Sequence, residues 1–163
     1  MSITKNILLL LLSVTIFNTV NAQPRQGMQA IDIALPSASG DTIHLSSLKG
    51  KIVLLDFWAS WCGPCRSSNK NLVKLYPKFK AIGFEIFSVS LDDDKMKWQK
   101  AVKKDKISWL QVNDGGGWEA KTAIAWNINA IPTSYLIDKE GRLIAMDLTE
   151  KELEKALKEL IDK

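Results

Sequence analysis

The sequence has few of the side chains that usually bind metals. Its 163 residues include two cysteines and a single histidine, His44. Zinc sites take three or four protein ligands, mostly cysteine and histidine. No metal site is therefore predicted, and we expect His44 to be an ordinary surface residue of a strand.

Long blocks of charge of one sign are also missing. The 22 basic and 18 acidic side chains leave a formal net charge of +4, and no basic block is longer than Lys103-Lys104. Neither feature predicts a nucleic-acid-binding surface. The apolar content of 46% and charged content of 25% are typical of a globular protein, and this chain length suits a single domain.

The apolar run near the N-terminus is short for a membrane-spanning helix. Residues 7–17 form a largely apolar run of 11 residues behind Lys5, whereas a span needs about 20. Residues 20–22, Val-Asn-Ala, place small side chains at the −3 and −1 positions of a signal-peptide cleavage site. Residues 1–22 therefore predict a secretory signal peptide, with an uncleaved membrane anchor as the alternative.

Export affects how the two cysteines are interpreted. Outside the cytosol a cysteine pair usually forms a structural disulfide. Cys62 and Cys65, however, enclose only Gly63 and Pro64, so a bridge between them would constrain the unfolded chain very little. This spacing favours redox chemistry over structural cross-linking.

Apolar patterning predicts a layered α/β domain. Nearly continuous apolar runs at residues 52–58 and 84–91 indicate strands buried on both faces, and the spacing of leucine and aromatic residues over 64–81 indicates a helix. Pro77 lies inside that helix, and we expect it to kink or shorten the helix. The other predicted elements are a hairpin over 30–45, helices over 94–105 and 119–126, a strand over 109–112 and a hairpin over 133–147. The order is βαβ and then ββα, with an extra N-terminal β-hairpin.

The last predicted helix carries its own start signal. Thr149 is followed three residues later by Glu152, which is the pattern of a capping box. Leu153, Leu157 and Leu160 then recur at three- and four-residue spacing and predict the buried stripe of this helix.

The cysteine pair lies where a buried strand gives way to a helix. Free N–H groups and the dipole at a helix start favour an anion, so we expect the Cys62 thiol to titrate well below the free-cysteine pKa of about 8.5. Pro64 fits the first helical turn, where its missing N–H costs nothing. We predict that Cys62 is exposed and attacks a substrate disulfide, and that the more buried Cys65 resolves the mixed disulfide.

The segment that holds this pair resembles a known family. Residues 56–65, Asp-Phe-Trp-Ala-Ser-Trp-Cys-Gly-Pro-Cys, closely resemble the active-site segment of thioredoxins. Residues 48–55 and 131–138, with Gly141, resemble the TlpA/ResA-like branch of extracytoplasmic thioredoxin-like proteins. The resemblance runs from about Gly27 to the C-terminus. It implies the thioredoxin fold, an α/β architecture with a central mixed sheet.

The resemblance also implies roles for residues outside the cysteine pair. Pro132 matches the family's cis-proline, which packs beside the cysteines and helps to hold the substrate backbone. Asp56 matches a buried aspartate with a raised pKa that accepts the proton of Cys65; the alternative is an aspartate held by hydrogen bonds at a strand end. Trp58 and Trp61 match aromatic residues around the active site. The implied substrate-binding residues are Trp61, Gly63, Pro64, Ile131 and Pro132.

Two positions differ from the family pattern. Lys70 stands where thioredoxins have a helix-kinking proline, and Asp93 lies where many ResA-like proteins carry a glutamate after the second central strand. Asp93 either replaces that glutamate or serves as a helix N-cap or solvated residue. The glycines at 115–117 lack the Lys-Ser/Thr of a phosphate-binding loop, and we expect a flexible loop there.

The leading hypothesis is a thiol–disulfide oxidoreductase formed by residues 23–163. We expect a monomer in the periplasm or another extracytoplasmic space, without a dissociable cofactor, that takes electrons from a membrane thiol donor. By resemblance, its substrates include apocytochrome c or misbridged exported proteins. Gly63-Pro64 is also the dipeptide between the cysteines of thioredoxin, a reductant with a reduction potential of about −270 mV. We therefore predict a reductase.

Two alternatives stay open from the sequence. Peroxiredoxins share this fold and would make the chain a thiol peroxidase, although Ala59 occupies the threonine position of their Thr-x-x-Cys motif. The other alternative is a non-enzymatic binding module whose cysteines stay permanently bridged.

Overall fold

A computed structural model describes residues 24–161, so the predicted signal peptide at residues 1–22 lies outside the described residues. Within that range no helix combines the length and apolar character needed to cross a membrane. The elements are β1 (Ala34–Pro36), β2 (Thr42–His44), β3 (Ile52–Trp58), α1 (Gly63–Lys80), β4 (Phe84–Ser90), α2 (Lys95–Lys104), β5 (Leu110–Asn113), α3 (Lys121–Ala125), β6 (Thr133–Ile137), β7 (Leu143–Met146) and α4 (Glu150–Ile161).

Five strands form a mixed sheet in the order β5-β4-β3-β6-β7. β3 pairs in parallel with β4, and β4 with β5, whereas β6 runs antiparallel to both β3 and β7. β1 and β2 form a separate antiparallel hairpin. This is the thioredoxin topology with an additional N-terminal hairpin, as predicted.

The two central strands carry apolar residues on both faces because both faces are covered. Every residue of β3 and β4 is buried. In β3, side chains alternate between the faces of the sheet. Leu55 and Phe57 pack with Trp126 in one cluster, and Leu54 packs with Leu72 of α1 in another. The core therefore has two layers, one on each face of the sheet.

Pro77 does not shorten α1. The helix continues through this proline to Lys80, so of the two expected effects, a kink or an early end, the early end is wrong. Pro77 is exposed. The hydrogen bond that its missing N–H removes therefore lies on the outer side of the helix, where water can replace it.

The predicted capping box at the start of α4 is confirmed. The N–H and hydroxyl of Thr149 donate hydrogen bonds to the Glu152 carboxylate at 2.8 and 2.6 Å, and the N–H of Glu152 donates to the Thr149 hydroxyl at 3.4 Å. Leu153 and Leu157 are buried, and Leu160 packs beside them against the same core cluster. α4 therefore covers the face of the sheet that α1 also covers.

Replacing Leu157 tests how far the fold depends on α4. Leu157 is completely buried, so Leu157→Ala should lower the free energy of unfolding by about 2–5 kcal/mol, since it loses apolar burial and leaves a cavity. Lys151→Ala on the exposed side of α4 should change it by less than about 0.5 kcal/mol. Denaturant unfolding measures both, and equal losses would contradict the placement of α4.

Candidate active site

Four loops meet at one edge of the central sheet. Trp58, Ser90 and Asn113 lie side by side at the ends of β3, β4 and β5. Because β6 runs in the opposite direction, it begins at this edge, where Thr133 pairs with Phe57. The segments that follow β3, β4 and β5 and the segment that precedes β6 are thus brought together.

The cysteine pair lies at this edge, at the start of α1. Cys62 and Cys65 form a disulfide whose Cα atoms are 5.3 Å apart. Cys62 is the N-cap residue of α1, and its Sγ accepts a hydrogen bond of 3.1 Å from the N–H of Cys65. Gly63 and Pro64 form the first turn. One reacting sulfur therefore also caps the helix, where the dipole favours negative charge.

The exposure of Cys62 differs from the prediction. Cys62 is 6% and Cys65 1% exposed, so both sulfurs are buried, although Cys62 is the more accessible. The physical reason is that the Cys62 sulfur is bonded to a buried partner and lies 3.8 Å from the carbonyl oxygen of Ile131. The segment before β6 thus covers part of the disulfide.

The residues implied for substrate binding surround the disulfide. The Ile131–Pro132 peptide bond is cis, as predicted, and the Ile131 carbonyl is next to Cys62 Sγ. Gly63 and Pro64 are exposed at the start of α1. The rim of the disulfide is therefore open on the side of α1. On the other side it is bounded by the backbone that precedes β6.

Asp56 is buried in the middle of β3 rather than at a strand end. Its carboxyl group accepts a hydrogen bond of 3.1 Å from the Ser88 hydroxyl, which in turn accepts one of 2.8 Å from the Trp109 indole N–H. Burial raises the pKa of Asp56 to about 7, and the bond from Ser88 opposes that rise. Asp56 and Pro132 both line a cavity of about 250 Å³.

The loop between β3 and α1 is held by a network that the sequence analysis missed. Buried Asp92 accepts hydrogen bonds from the Ser60 N–H at 2.7 Å and the Ser60 hydroxyl at 2.5 Å. Arg66 donates to the Ser60 carbonyl at 3.0 Å and forms an ion pair with Asp105 at the end of α2. Both sides of Ser60, two residues before Cys62, are therefore fixed.

The acidic run after β4 divides into three different roles. Asp92 holds the active-site loop, and Asp94 caps α2 by accepting hydrogen bonds from the N–H groups of Met96 and Lys97. Asp93, the residue that the sequence analysis singled out, is exposed and is not the N-cap. Burial separates these neighbours, which sequence spacing does not reveal.

An exposed aromatic pair adjoins the cysteines. Trp61 and Trp118 are 56% and 48% exposed, and their ring centroids lie 6.1 Å apart at 61°. Trp58, by contrast, is fully buried in the cluster that contains both cysteines. Trp118 follows the predicted loop at 115–117, whose three glycines all adopt left-handed backbone with φ of 69°, 75° and 54°. The sequence analysis predicted this loop but not its tryptophan.

No metal centre accompanies the disulfide within residues 24–161, since no group of three or more His, Cys, Asp or Glu side chains there is arranged to hold an ion. The fold and a dithiol–disulfide pair at the end of its central strand are those of thioredoxin-like proteins. They place the chain in the class of thiol–disulfide oxidoreductases.

Comparison with known proteins gives the family. Residues 26–146 match the AhpC/TSA family, and the chain belongs to it. It is 34% identical over 137 residues to the thiol-disulfide oxidoreductase ResA of Bacillus thuringiensis subsp. konkukian, covering 82% of this chain and 78% of that protein. Identity to ResA of Bacillus subtilis is 31% over 141 residues, covering 85% and 77%.

Solved structures agree with this assignment. A thiol-disulfide oxidoreductase from Bacteroides fragilis is 35% identical, with a TM-score of 0.76 over 82% of this chain and 99% of that one. The thioredoxin domain of a thiol-disulfide oxidoreductase from Bacteroides vulgatus is 33% identical, with a TM-score of 0.77 over 84% and 98%. The match covers nearly the whole of both solved structures.

Asp56 should give the protein a specific dependence of stability on pH. Its pKa is about 7 when folded and 3.8 ordinarily, so unfolding releases a proton between these values. The free energy of unfolding should therefore fall as pH rises from about 4 to about 7, by up to about 4 kcal/mol. Asp56→Asn should lack this fall and be more stable than the wild type above pH 7.

Denaturant unfolding of the disulfide form at several pH values measures the difference. Other titrating groups are the same in both proteins, so the difference curve isolates Asp56. Parallel curves for wild type and Asp56→Asn would show that the buried carboxyl has an ordinary pKa.

Proposed function

We propose that the chain reduces disulfides of exported proteins by cycling Cys62 and Cys65 between dithiol and disulfide. The observation that carries the proposal is the pair itself, joined at the start of α1. The two sulfurs are placed so that either redox state needs little backbone movement. Reduction and oxidation can therefore alternate without rebuilding the site.

In the proposed reaction the Cys62 thiolate attacks one sulfur of a substrate disulfide. The substrate Sγ–Sγ bond breaks, one substrate sulfur leaves as a thiolate that takes a proton from solvent, and a mixed disulfide with Cys62 forms. Cys65 then loses its proton to Asp56 and attacks Cys62 Sγ, which releases the second substrate sulfur. Two electrons pass to the substrate, and the chain ends with the Cys62–Cys65 disulfide.

Asp56 suits the role of proton acceptor for two reasons. Its raised pKa of about 7 allows it to bind and release a proton near neutral pH, as a general base must. It also borders a cavity lined by the exposed residue Asp147. A proton taken from Cys65 would have a polar route to the surface.

The rim of the disulfide would bind an extended substrate segment. Ile131 and Pro132 present backbone beside Cys62, and we propose that they hold the substrate backbone there. Trp61, Gly63 and Pro64 would contact the substrate from the helix side. A polypeptide cysteine could then approach Cys62 Sγ between these two walls.

Two features around the cysteines support the proposed direction of electron flow. No histidine stands between Cys62 and Cys65 to add positive charge, and ionised Asp56 would disfavour a second negative charge nearby. The first feature omits a stabilisation of the thiolate beyond that of the helix start, and the second destabilises it. Both leave the disulfide relatively stable, so we expect the dithiol form to be a good reductant.

The proposed setting is the periplasm or another extracytoplasmic space. Residues 1–22 would act as a signal peptide, and residues 23–163 as a monomeric domain. A membrane thiol protein would supply two electrons by reducing Cys62–Cys65, and disulfides of apocytochrome c or of misbridged exported proteins would receive them. No dissociable cofactor takes part in this cycle.

Single cysteine variants test the two roles. Cys65→Ser should accumulate a mixed disulfide through Cys62, because nothing resolves it, whereas Cys62→Ser should form none. Both should lose at least about 10³-fold in insulin reduction, since the steps depend on each other. Mass spectrometry of trapped complexes identifies the bonded cysteine and the partners. Trapping through Cys65 instead would reverse the assignment.

The reduction potential tests direction. Equilibration of the mature protein with glutathione buffers should give a value closer to about −270 mV than to about −120 mV, the values of thioredoxin and of a strong oxidant. A potential above about −180 mV, the region of disulfide isomerase, would contradict a reductase. Rapid turnover of hydrogen peroxide would instead support a thiol peroxidase, for which Ala59 is the unfavourable residue.

A further inference from the structure

Asn69 is a buried polar residue of α1 that the proposed reaction does not use. Its side chain is 1% exposed, and within residues 24–161 its amide nitrogen Nδ2 has no hydrogen-bond partner. Unpaired buried donors are uncommon in native structures because they lose their hydrogen bonds to water. An unpaired donor in this position therefore requires an explanation.

Helix geometry directs Asn69 towards the disulfide. Asn69 follows Cys65 by four residues, so the two lie on the same face of α1, and both belong to its buried stripe. Side chains of a helix lean towards its N-terminus and cover the preceding turn. From this geometry we expect the side chain of Asn69 to lean towards the turn that contains Cys65.

The packing of α1 on β3 gives the same placement. Cys65 shares a core cluster with Trp58, and Leu72, one turn beyond Asn69, shares another with Leu54. Asp56 lies between Leu54 and Trp58 on the same face of β3. Asn69 and Asp56 therefore occupy corresponding positions in one interface, between the cluster that contains Cys65 and the cluster that contains Leu54 and Leu72.

We propose that Asn69 donates a hydrogen bond from Nδ2 to Sγ of Cys65 in the dithiol form. The amide is unpaired while Cys62 and Cys65 are bridged. A free Cys65 sulfur can accept its hydrogen bond, weakly as a thiol and strongly as the thiolate that forms when Asp56 takes its proton. When a dithiol donor passes two electrons to the disulfide, the Sγ–Sγ bond breaks, the donor becomes a disulfide, and Cys65 Sγ becomes free to accept. This inference rests on the proposed function only in taking the pair as redox-active.

A bond present in one redox state shifts the balance between the two states. Asn69 would stabilise the dithiol form and leave the disulfide form unaffected. Its removal should therefore favour the disulfide and make the reduction potential more negative. A residue with a structural role alone would change the stability of both forms equally and leave the potential unchanged.

The test compares Asn69→Leu, an apolar side chain of similar size, with Ser67→Ala, an exposed position in the same part of α1. In glutathione buffers Asn69→Leu should shift the equilibrium about tenfold towards the disulfide, which corresponds to about 30 mV. Thermal unfolding should show a less stable dithiol form and a disulfide form that is unchanged or more stable. Ser67→Ala should shift neither measurement.

The acceptor is identified by two further variants. In a Cys62→Ser background, alkylation of Cys65 against pH should show that Asn69→Leu raises the pKa of Cys65. In an Asp56→Asn background, Asn69→Leu should still shift the potential by the same factor. A shift that disappears there would mean that Asn69 acts on Asp56, and would overturn the proposal.

Other outcomes also decide the question. Equal destabilisation of both redox forms, with an unchanged potential, would make Asn69 structural only. Asn69→Ala, measured in parallel, removes the donor without adding bulk, and the two variants should agree. The amide of Asn69 makes no hydrogen bond in the disulfide form, so its loss should not prevent that form from folding. If neither variant folds with its disulfide intact, the proposal fails. A wild-type chain that does not reduce insulin would contradict the proposed function but not this equilibrium shift.

Discussion

The site depends on the parallel pairing of β3, β4 and β5 with β6 reversed beside them. Parallel strands end at one edge, and this arrangement brings together segments far apart in the chain. Ser60, just after β3, is fixed by Asp92, just after β4, through two hydrogen bonds. Arg66 holds the Ser60 carbonyl and extends the network to Asp105 at the end of α2. The cysteine at the start of α1 is therefore positioned by the sheet rather than by its own loop.

Two electrostatic effects oppose each other at the cysteines. The start of α1 favours negative charge on Cys62, whose sulfur already accepts the N–H of Cys65. Asp56, in the neighbouring strand β3, is buried with one hydrogen-bond donor, Ser88, and its pKa of about 7 leaves it largely neutral below that pH. Around neutral pH, the protonation of Asp56 and the charge on the sulfurs are therefore coupled, and each affects the other's free energy.

Local pattern predicted the strands and helices well, because burial imposes periodicity on neighbouring residues. The predicted strand at residues 133–137 has the observed bounds, and the motif-bearing helix was placed correctly. Pro77 was misjudged because its effect depends on which side of the helix faces water. Asp92 and Trp118 were missed because their partners, Ser60 and the exposed ring of Trp61, are distant in sequence. Spacing along the chain contains no information on which acid of a run becomes buried.

One cavity is lined by both Pro132 and Asp56. The carbonyl of Ile131, the residue before Pro132, lies 3.8 Å from Cys62 Sγ. Ser134 and Asp147 continue the lining, and the N–H of Ser134 donates to Asp147 at 2.7 Å. A substrate segment held at Pro132 would lie beside the route by which Asp56 exchanges protons. In the proposed cycle, Asp56 would return its proton to solvent through this cavity before the next reduction.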